Sequence, residues 1–235
     1  MNSFETPRRR SRVDRPLRRS VALFGLFGLA VLALTTTGCS LGVMAGKMLF
    51  GNPRLSSEFA LATGVNLVDS EQTVVVIARV PSYLSGDLAT LEPDLINGVT
   101  DQLIRESIDA VSPEEVIDWI DERGSSDNVR AAAEQFDTDY VIRIDLATFD
   151  NLEQKSAWLH RGRAAGTIAA YKVETIGGKK VPRMVFERGF DERHPRRQPV
   201  PVGEVSRTVF VRRHLDQLTT DIARKFHSHL PGAGM

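Results

Sequence analysis

The sequence predicts an α/β protein of the α+β type, with a small four-stranded mixed sheet covered by helices in the order β-α-α-α-β-β-β-α. Residues 73–80 form a short, continuous apolar run rich in β-branched side chains, which is typical of a strand buried on both faces. Three helical patterns follow it, and then three strand patterns. Because the first strand must reach its neighbour through helices, we expect a parallel pair beside an antiparallel meander.

Three helices are predicted between the first and second strands. Apolar spacing over residues 91–110 indicates the first. The second begins at Ser112-Pro113-Glu114-Glu115, where the serine can cap and Glu115 can reach back, and it ends at Gly124. The third starts at Ser126 or Asp127. The side chains expected to face inward are Leu95, Val99, Leu103, Ile104, Ile108, Val116, Ile117, Ile120, Val129, Ala132, Ala133 and Phe136.

The three remaining strands are predicted from alternating apolar and polar residues. Residues 139–149 give the first of them and residues 161–173 the second. The Gly177-Gly178 turn then joins the second in a hairpin to residues 181–190. Pro182 lacks the amide hydrogen that a central strand needs, so this last strand is expected at the sheet edge.

A final helix is predicted over residues 204–229, after a loop that carries Pro195, Pro199 and Pro201. Its apolar stripe consists of Val211, Leu215, Leu218, Ile222 and Phe226. With the preceding elements, it completes a single globular domain over residues 67–230, followed by a disordered tail over residues 231–235.

Residues 1–38 have the composition of an export signal. Seven arginines precede an apolar run over residues 21–34, which is shorter than the roughly 20 residues that a helix needs to cross a bilayer. Thr36-Thr37-Gly38-Cys39 resembles the lipobox read by the bacterial lipoprotein signal peptidase, which implies that Cys39 becomes lipidated. A plain secretory signal with an incidental cysteine is the alternative. Arg18-Arg19 also resembles a twin-arginine signal, so the export route stays open.

A lipidated Cys39 would place the protein in the cell envelope, facing the periplasm and attached to a membrane. Residues 39–66 are then the lipidated N-terminus and a tether, in which residues 41–50 either lie on the lipid surface or form a flexible spacer. Ser40 follows the cysteine, and by resemblance to enteric sorting this favours the outer membrane. With the only cysteine consumed, no thiol remains for a disulfide or for nucleophilic catalysis.

The charge balance argues against a nucleic-acid partner. The chain has 30 basic and 30 acidic residues, but seven arginines and two acids lie in residues 1–38. The mature protein therefore has 23 basic and 28 acidic residues, a net charge of −5. Nucleic-acid binding needs a basic face, which this composition does not favour.

The motifs of common catalytic and cofactor sites are missing from the sequence, so neither a cofactor nor an enzymatic activity is expected. Gly177-Gly-Lys-Lys180 fits a hairpin turn rather than a phosphate loop. The five histidines are scattered and are expected at the surface or at helix ends. Asp145 is expected to pair with Arg143. The alternative is a hydrolase in which Asp145 and Glu187 converge as a general acid and base.

Two connections are candidates for contact with a partner protein. The first carries Trp158, Leu159, His160 and Arg161, since aromatic anchors in loops often mark binding surfaces; alternatively, Trp158 folds back onto the sheet edge. The second is the charged, proline-rich stretch over residues 191–201, for which a solvated linker is the alternative. Its candidate contact residues are His194, Arg196 and Arg197.

The element order over residues 74–226 resembles the anticodon-binding-domain-like fold of several envelope proteins. These are the lipoprotein activators of penicillin-binding proteins, the curli secretion lipoprotein and the N-terminal domain of the Tol-system propeller protein. Phe136-Asp-Thr-Asp-Tyr-Val-Ile-Arg-Ile-Asp145 resembles their pattern of a helix that leads into the second strand. Arg161-Gly-Arg163 resembles a feature of uncharacterised planctomycete lipoproteins.

This resemblance implies a lipid-anchored, non-enzymatic adaptor or assembly factor that binds a partner protein or itself. An envelope hydrolase and a subunit of a secretion complex remain the alternatives. The sequence departs from the curli channel protein, because it has no long amphipathic hairpins that would build a membrane barrel.

Overall fold

A five-stranded mixed sheet forms the centre of the computed structural model, which describes residues 54–85, 88–123 and 128–230. Its strands are β1 (Val74–Arg79), β2 (Tyr140–Leu152), β3 (Leu159–Ile176), β4 (Lys179–His194) and β5 (Val200–Pro201). The order is β1-β2-β3-β4, and the short β5 pairs with the start of β3. β1 and β2 are parallel and the other pairs antiparallel, which confirms the predicted fold class with β5 as an unpredicted addition.

The strand β1 is the most deeply buried element. Its residues from Val74 to Ala78 have no solvent exposure, as its continuous apolar run predicts. The helices described between β1 and β2 are α2 (Ser82–Ser85), α3 (Leu91–Arg105), α4 (Pro113–Arg123) and α5 (Val129–Phe136). Of these, α3, α4 and α5 contact β1 and cover it. The three predicted helices are confirmed, and the one-turn α2 was not predicted.

The helix ends differ from the predictions in two places. The first helix ends at Arg105 rather than near residue 110, because Ser107 has a left-handed backbone (φ 66°) that cannot continue a helix. The predicted capping box is also not observed at the start of α4. The Ser112 hydroxyl donates to the Glu114 carboxylate, whereas a capping box needs the hydroxyl oxygen to accept from the Glu115 amide.

The cap of α5 is Asn128, whose side-chain oxygen accepts a hydrogen bond of 3.0 Å from the Ala131 amide. Ser126 and Asp127, the predicted starts, lie outside the described residues. We expect Asn128→Ala to lower the free energy of unfolding by about 1 kcal/mol, because an amide at the helix end loses its acceptor. Urea unfolding measures the change, and Asn128→Asp, which keeps an acceptor, should stay close to wild type.

The predicted tether over residues 39–66 is wrong in its last part. Residues Glu58–Thr63 form a helix, α1, which Ser57 caps with a hydrogen bond to the Ala60 amide. Phe59 is completely buried and packs edge-on against Tyr140, with ring centroids 5.5 Å apart. This stretch therefore belongs to the folded domain. Residues 39–53 of the predicted tether, the predicted signal segment over residues 1–38 and the predicted tail over residues 231–235 lie outside the described residues.

The strands β2, β3 and β4 are longer than predicted. The connection between β2 and β3 shrinks to residues 153–158, so His160 belongs to β3 rather than to a loop. The Gly177-Gly178 turn is confirmed, and both glycines have positive φ, which favours glycine at these positions. β4 is an edge strand, as Pro182 predicted.

The last helix, α6 (Arg207–Ala223), packs across β3 beside α3. It is shorter than the predicted helix over residues 204–229. Its N-terminal cap is Ser206, whose hydroxyl accepts a hydrogen bond from the Val209 amide. Its buried stripe runs at four-residue intervals through Phe210, His214, Leu218 and Ile222. Val211 and Leu215 from the predicted stripe are half-buried. None of the helices in the described residues is both long and apolar enough to span a bilayer.

Candidate functional site

Three histidines converge where β3, the end of β4 and α6 meet, although the sequence suggested that they were scattered. His160 stacks on Phe210 with ring centroids 4.7 Å apart, and His214 stacks on Phe149 at 4.6 Å. His194 lies parallel to His214 at 6.1 Å. We call His160, His194, His214 and these two phenylalanines the histidine corner. The expectation of surface histidines is therefore wrong for His160 and His214, which are buried.

A glycine makes the close packing of this corner feasible. Gly162 on β3 lies under the His214 ring, and a β-carbon there would be 2.3 Å from Nδ1 and 2.4 Å from Cγ. Any larger residue would therefore displace the ring. The helix α6 approaches the sheet at this point, with His214 occupying a position of its buried stripe.

Asn151 on β2 connects the two buried rings. Its backbone carbonyl lies 3.3 Å from Nδ1 of His160, and its side-chain oxygen lies 3.3 Å from Nδ1 of His214. Both partner atoms are oxygens, which accept, so each Nδ1 donates the proton in these contacts. The two Nε2 atoms are buried and have no hydrogen-bond partner among the described residues.

Burial lowers the pKa of two histidines in the corner. Desolvation, together with the charge of neighbouring His194, lowers the pKa of His214 from 6.5 to about 4. The pKa of His194 is also lowered, chiefly by burial and then by Arg213, while Asp221 opposes the shift. At neutral pH His194 and His214 are therefore uncharged, and the His214 ring acts as an aromatic packing group. In the part of the chain that the structure describes, no group of three or more His, Cys, Asp or Glu side chains could hold a metal ion.

A groove of about 720 Å³ opens beside the histidine corner, at the end of the molecule where α6 begins. We call it the end groove. Its apolar lining and its polar lining are both substantial, and His160 belongs to the lining. The lining residues are Tyr83, Leu84, Leu88, Phe149, Asp150, Asn151, Leu152, Gln154, His160 and Arg207. Its volume falls within the range of small-molecule and peptide-binding clefts.

The predicted contact residues of the first connection lie at the same end. Trp158 is 80% exposed, which fits a surface contact and not the alternative of folding back onto the sheet. Leu159 is half-buried, and Arg161 pairs with Glu153 at 2.8 Å. His160 is 2% exposed and takes part in the lining of the end groove, so its contact with a partner stays a prediction.

The second predicted connection is tied back to the domain. Arg196 lies 3.2 Å from Glu192 and 3.3 Å from Asp221, and the Arg197 carbonyl accepts a hydrogen bond from Arg161. His194 belongs to the histidine corner. These contacts join the loop to the first connection and to α6, so a solvated linker does not describe it.

The carboxylates of the hydrolase alternative, Asp145 and Glu187, lie on strands that are separated by β3. Asp145 pairs with Arg143 at 2.7 Å and with Arg79 at 3.2 Å, and Arg79 lies on β1. Glu187 is on β4, two strands away on the other side of β3. Its register partner on β3 lies two residues from that of Asp145, which puts the two α-carbons about 12 Å apart at the usual strand spacing. The ion pair predicted for Asp145 and Arg143 is present.

No family model matches the chain, and no curated protein matches it significantly. Among solved structures, lipoprotein GNA1162 from Neisseria meningitidis is similar at 11% identity and TM-score 0.35, over 65% of this chain and 98% of that one. A single-residue variant of the PelC dodecamer from Paraburkholderia phytofirmans has 10% identity and a TM-score of 0.39, over 74% of this chain and 93% of that one. A minor lipoprotein from Acinetobacter baumannii has 13% identity and a TM-score of 0.29, over 69% of this chain and 98% of that one. Likeness at this level establishes neither a family nor a function.

Proposed function

We propose that this protein is a non-enzymatic envelope protein, anchored by a lipid on Cys39, that binds an apolar segment of a partner protein at the end groove. The observation that carries the anchoring is Thr36-Thr37-Gly38-Cys39 directly after an arginine-rich segment and a 14-residue apolar run. A cysteine that carries two or more acyl chains is stably held in a membrane. Because Ser40 follows the cysteine, we favour the outer membrane as the site of anchoring.

The end groove supports a binding role for three reasons. It has a volume of about 720 Å³, and its walls include Tyr83 and Leu152, which are 69% and 49% exposed. Exposed Trp158 lies in the connection between Leu152 and the groove residue His160. Aromatic side chains of this kind dominate the energetics of protein interfaces. The histidines pack against phenylalanines and Asn151, an arrangement that supports a structural role for them rather than proton transfer to a substrate.

Replacement of Cys39 with serine tests the anchoring. We expect the wild-type protein in the membrane fraction and Cys39→Ser released from it, because the acyl chains have no sulfur to attach to. Mass spectrometry of the mature N-terminus should find a lipidated cysteine as its first residue. Ser40→Ala is the matched control and should remain membrane-bound. A Cys39→Ser protein that stays in the membrane fraction with unchanged apparent mass contradicts the proposal.

Two exposed apolar side chains, Trp158 and Leu152, provide the test of the end groove. We expect Trp158→Ser and Leu152→Ser to lose at least tenfold in affinity for the partner captured by the wild-type protein from detergent-solubilised envelopes. Met184→Ser is the control, since Met184 on β4 is 51% exposed and so closely matches Leu152. Isothermal calorimetry or interferometry on the purified pair measures the affinities, and sedimentation shows whether the partner is a second copy. Equal losses in all three variants would refute binding at the groove.

A further inference from the structure

We propose that the protein rests on the membrane through a second surface, the N-terminal face, formed by Arg54, Leu55, Leu61 and Leu230. Three of these residues are leucines with 52%, 75% and 44% of their surface exposed. The inference rests on the proposed anchoring by Cys39 and adds the orientation of the domain. The occupant it assigns to this face is the lipid bilayer itself.

The leucines are held in place by the fold. The Leu55 amide and carbonyl both bond to the backbone of His229, at 2.8 and 3.1 Å, so the segments that contain Leu55 and Leu230 lie side by side. Leu61 lies on α1, whose opposite side anchors Phe59 in the core. A fixed array of exposed apolar groups enters a lipid surface without the entropy cost of ordering it.

The helix α1 is also clamped by charge. Glu58 bonds to Lys225 and to Arg188, each at 3.0 Å. Burial alone would raise the pKa of Glu58, but these two cations outweigh it and lower the pKa, so the carboxylate stays ionised and the clamp stays closed at neutral pH. Leu61 therefore remains directed outward while α1 is bound to α6 and β4.

The path of the chain selects the membrane as the occupant. Arg54 follows Cys39 by fifteen residues, which span at most about 54 Å when fully extended. The N-terminal face is where the described chain begins, whereas the end groove lies at the other end of α6, a 17-residue helix about 26 Å long. A lipid on Cys39 thus brings the bilayer within reach of this face first, and contact through the three leucines would leave the groove accessible.

The apolar contact is weak by itself and becomes effective because of the anchor. The shallow pocket next to Arg54 mixes Arg224 with Glu106, so attraction to anionic headgroups adds little. Three leucines without a lipid would bind vesicles poorly. Attachment through Cys39 turns the contact into an intramolecular one with a high effective concentration.

Quenching by brominated lipids tests this orientation. The chain has two tryptophans, buried Trp119 and exposed Trp158 at the groove end. We would compare the lipidated wild-type protein with a Leu61→Trp, Trp158→Phe variant in phosphatidylcholine vesicles, with and without bromine on the acyl chains. The introduced tryptophan should lose at least half of its fluorescence, while the wild-type emission should change by less than a tenth.

Two further variants separate this contact from the anchor. Adding Leu55→Gln and Leu230→Gln should at least halve the quenching, whereas Leu152→Gln and Val209→Gln, which alter exposed side chains near the groove, should leave it unchanged. An unquenched reporter in protein whose lipid is confirmed by mass spectrometry overturns the inference and spares the anchoring. Quenching of Trp158 in the wild-type protein overturns it in favour of the opposite orientation. Absence of the lipid contradicts the proposed function itself.

Discussion

The free energy of unfolding of the Gly162→Ala protein is expected to be about 2–3 kcal/mol lower than that of wild type, because the histidine corner has no room for an added methyl group. The new β-carbon would lie 2.3 Å from Nδ1 of His214, far inside van der Waals contact. The ring cannot move away easily, since it is 1% exposed and stacks on Phe149 with centroids 4.6 Å apart. Either α6 must lift from β3 or the stack must break.

Urea unfolding monitored by circular dichroism measures this loss. Gly189→Ala is the matched control on the neighbouring strand, because the nearest atom to its added β-carbon is 3.8 Å away, and its stability should stay within about 0.5 kcal/mol of wild type. In a double-mutant cycle, His214→Ala should recover part of the loss, since removing the ring makes room for the methyl group. Equal stability of Gly162→Ala and Gly189→Ala would show that the corner is not tightly packed.

Features of the fold that depend on local chemistry were predictable. The apolar run of β1 is unambiguous because a strand buried on both faces needs no alternation. The Gly177-Gly178 turn and Pro182 place β4 at an edge through backbone constraints that hold in any context. The parallel pairing of β1 and β2 follows from the helices between them.

The helix α1 was not predicted because amino-acid composition does not distinguish a short helix from a linker. Gly51, Pro53 and the pair Ser56-Ser57 indicate broken structure, and the expectation of a tether extended them to residue 66. Ser57 is instead a helix cap, and the six-residue helix is stabilised by Phe59 in the core more than by its own propensity. Only the tertiary structure distinguishes a serine that caps from a serine in a linker.

The histidine corner was not predictable as a site. His160, His194 and His214 come from three elements and share no local spacing, so only the sheet register and the packing of α6 on the sheet bring them together. One signal was present, because His214 lies four residues from both Phe210 and Leu218 on the helical stripe. The predicted stripe used Val211 and Leu215 instead, since an apolar pattern search does not count a histidine as a core residue.

The stability of the protein is expected to fall by about 3 kcal/mol between pH 7.5 and pH 4 through His214 alone. Burial, together with the nearby charge of His194, lowers its pKa in the folded state to about 4, against 6.5 in the unfolded chain. Between these values the unfolded state binds the proton and the folded state does not. The contribution is therefore fully present above pH 6.5, and it is lost as the pH falls towards 4.

Two substitutions without a titrating ring isolate this effect from the carboxylates that also titrate in acid. His214→Phe keeps an aromatic ring on Phe149, and His214→Gln keeps a polar group near Asn151. The two variants will differ in stability at pH 7.5, but both should lose about 3 kcal/mol less than wild type on acidification, as measured by urea unfolding at half-unit pH steps. Parallel curves for wild type and both variants would mean that the pKa of His214 is the same in the folded and unfolded states, as it would be if solvent reached the corner. The ring stacks on Phe149 and bonds to Asn151, which both line the end groove. Protonation of His214 in the folded protein, which begins only as the pH approaches 4, should therefore loosen the groove and weaken partner binding there.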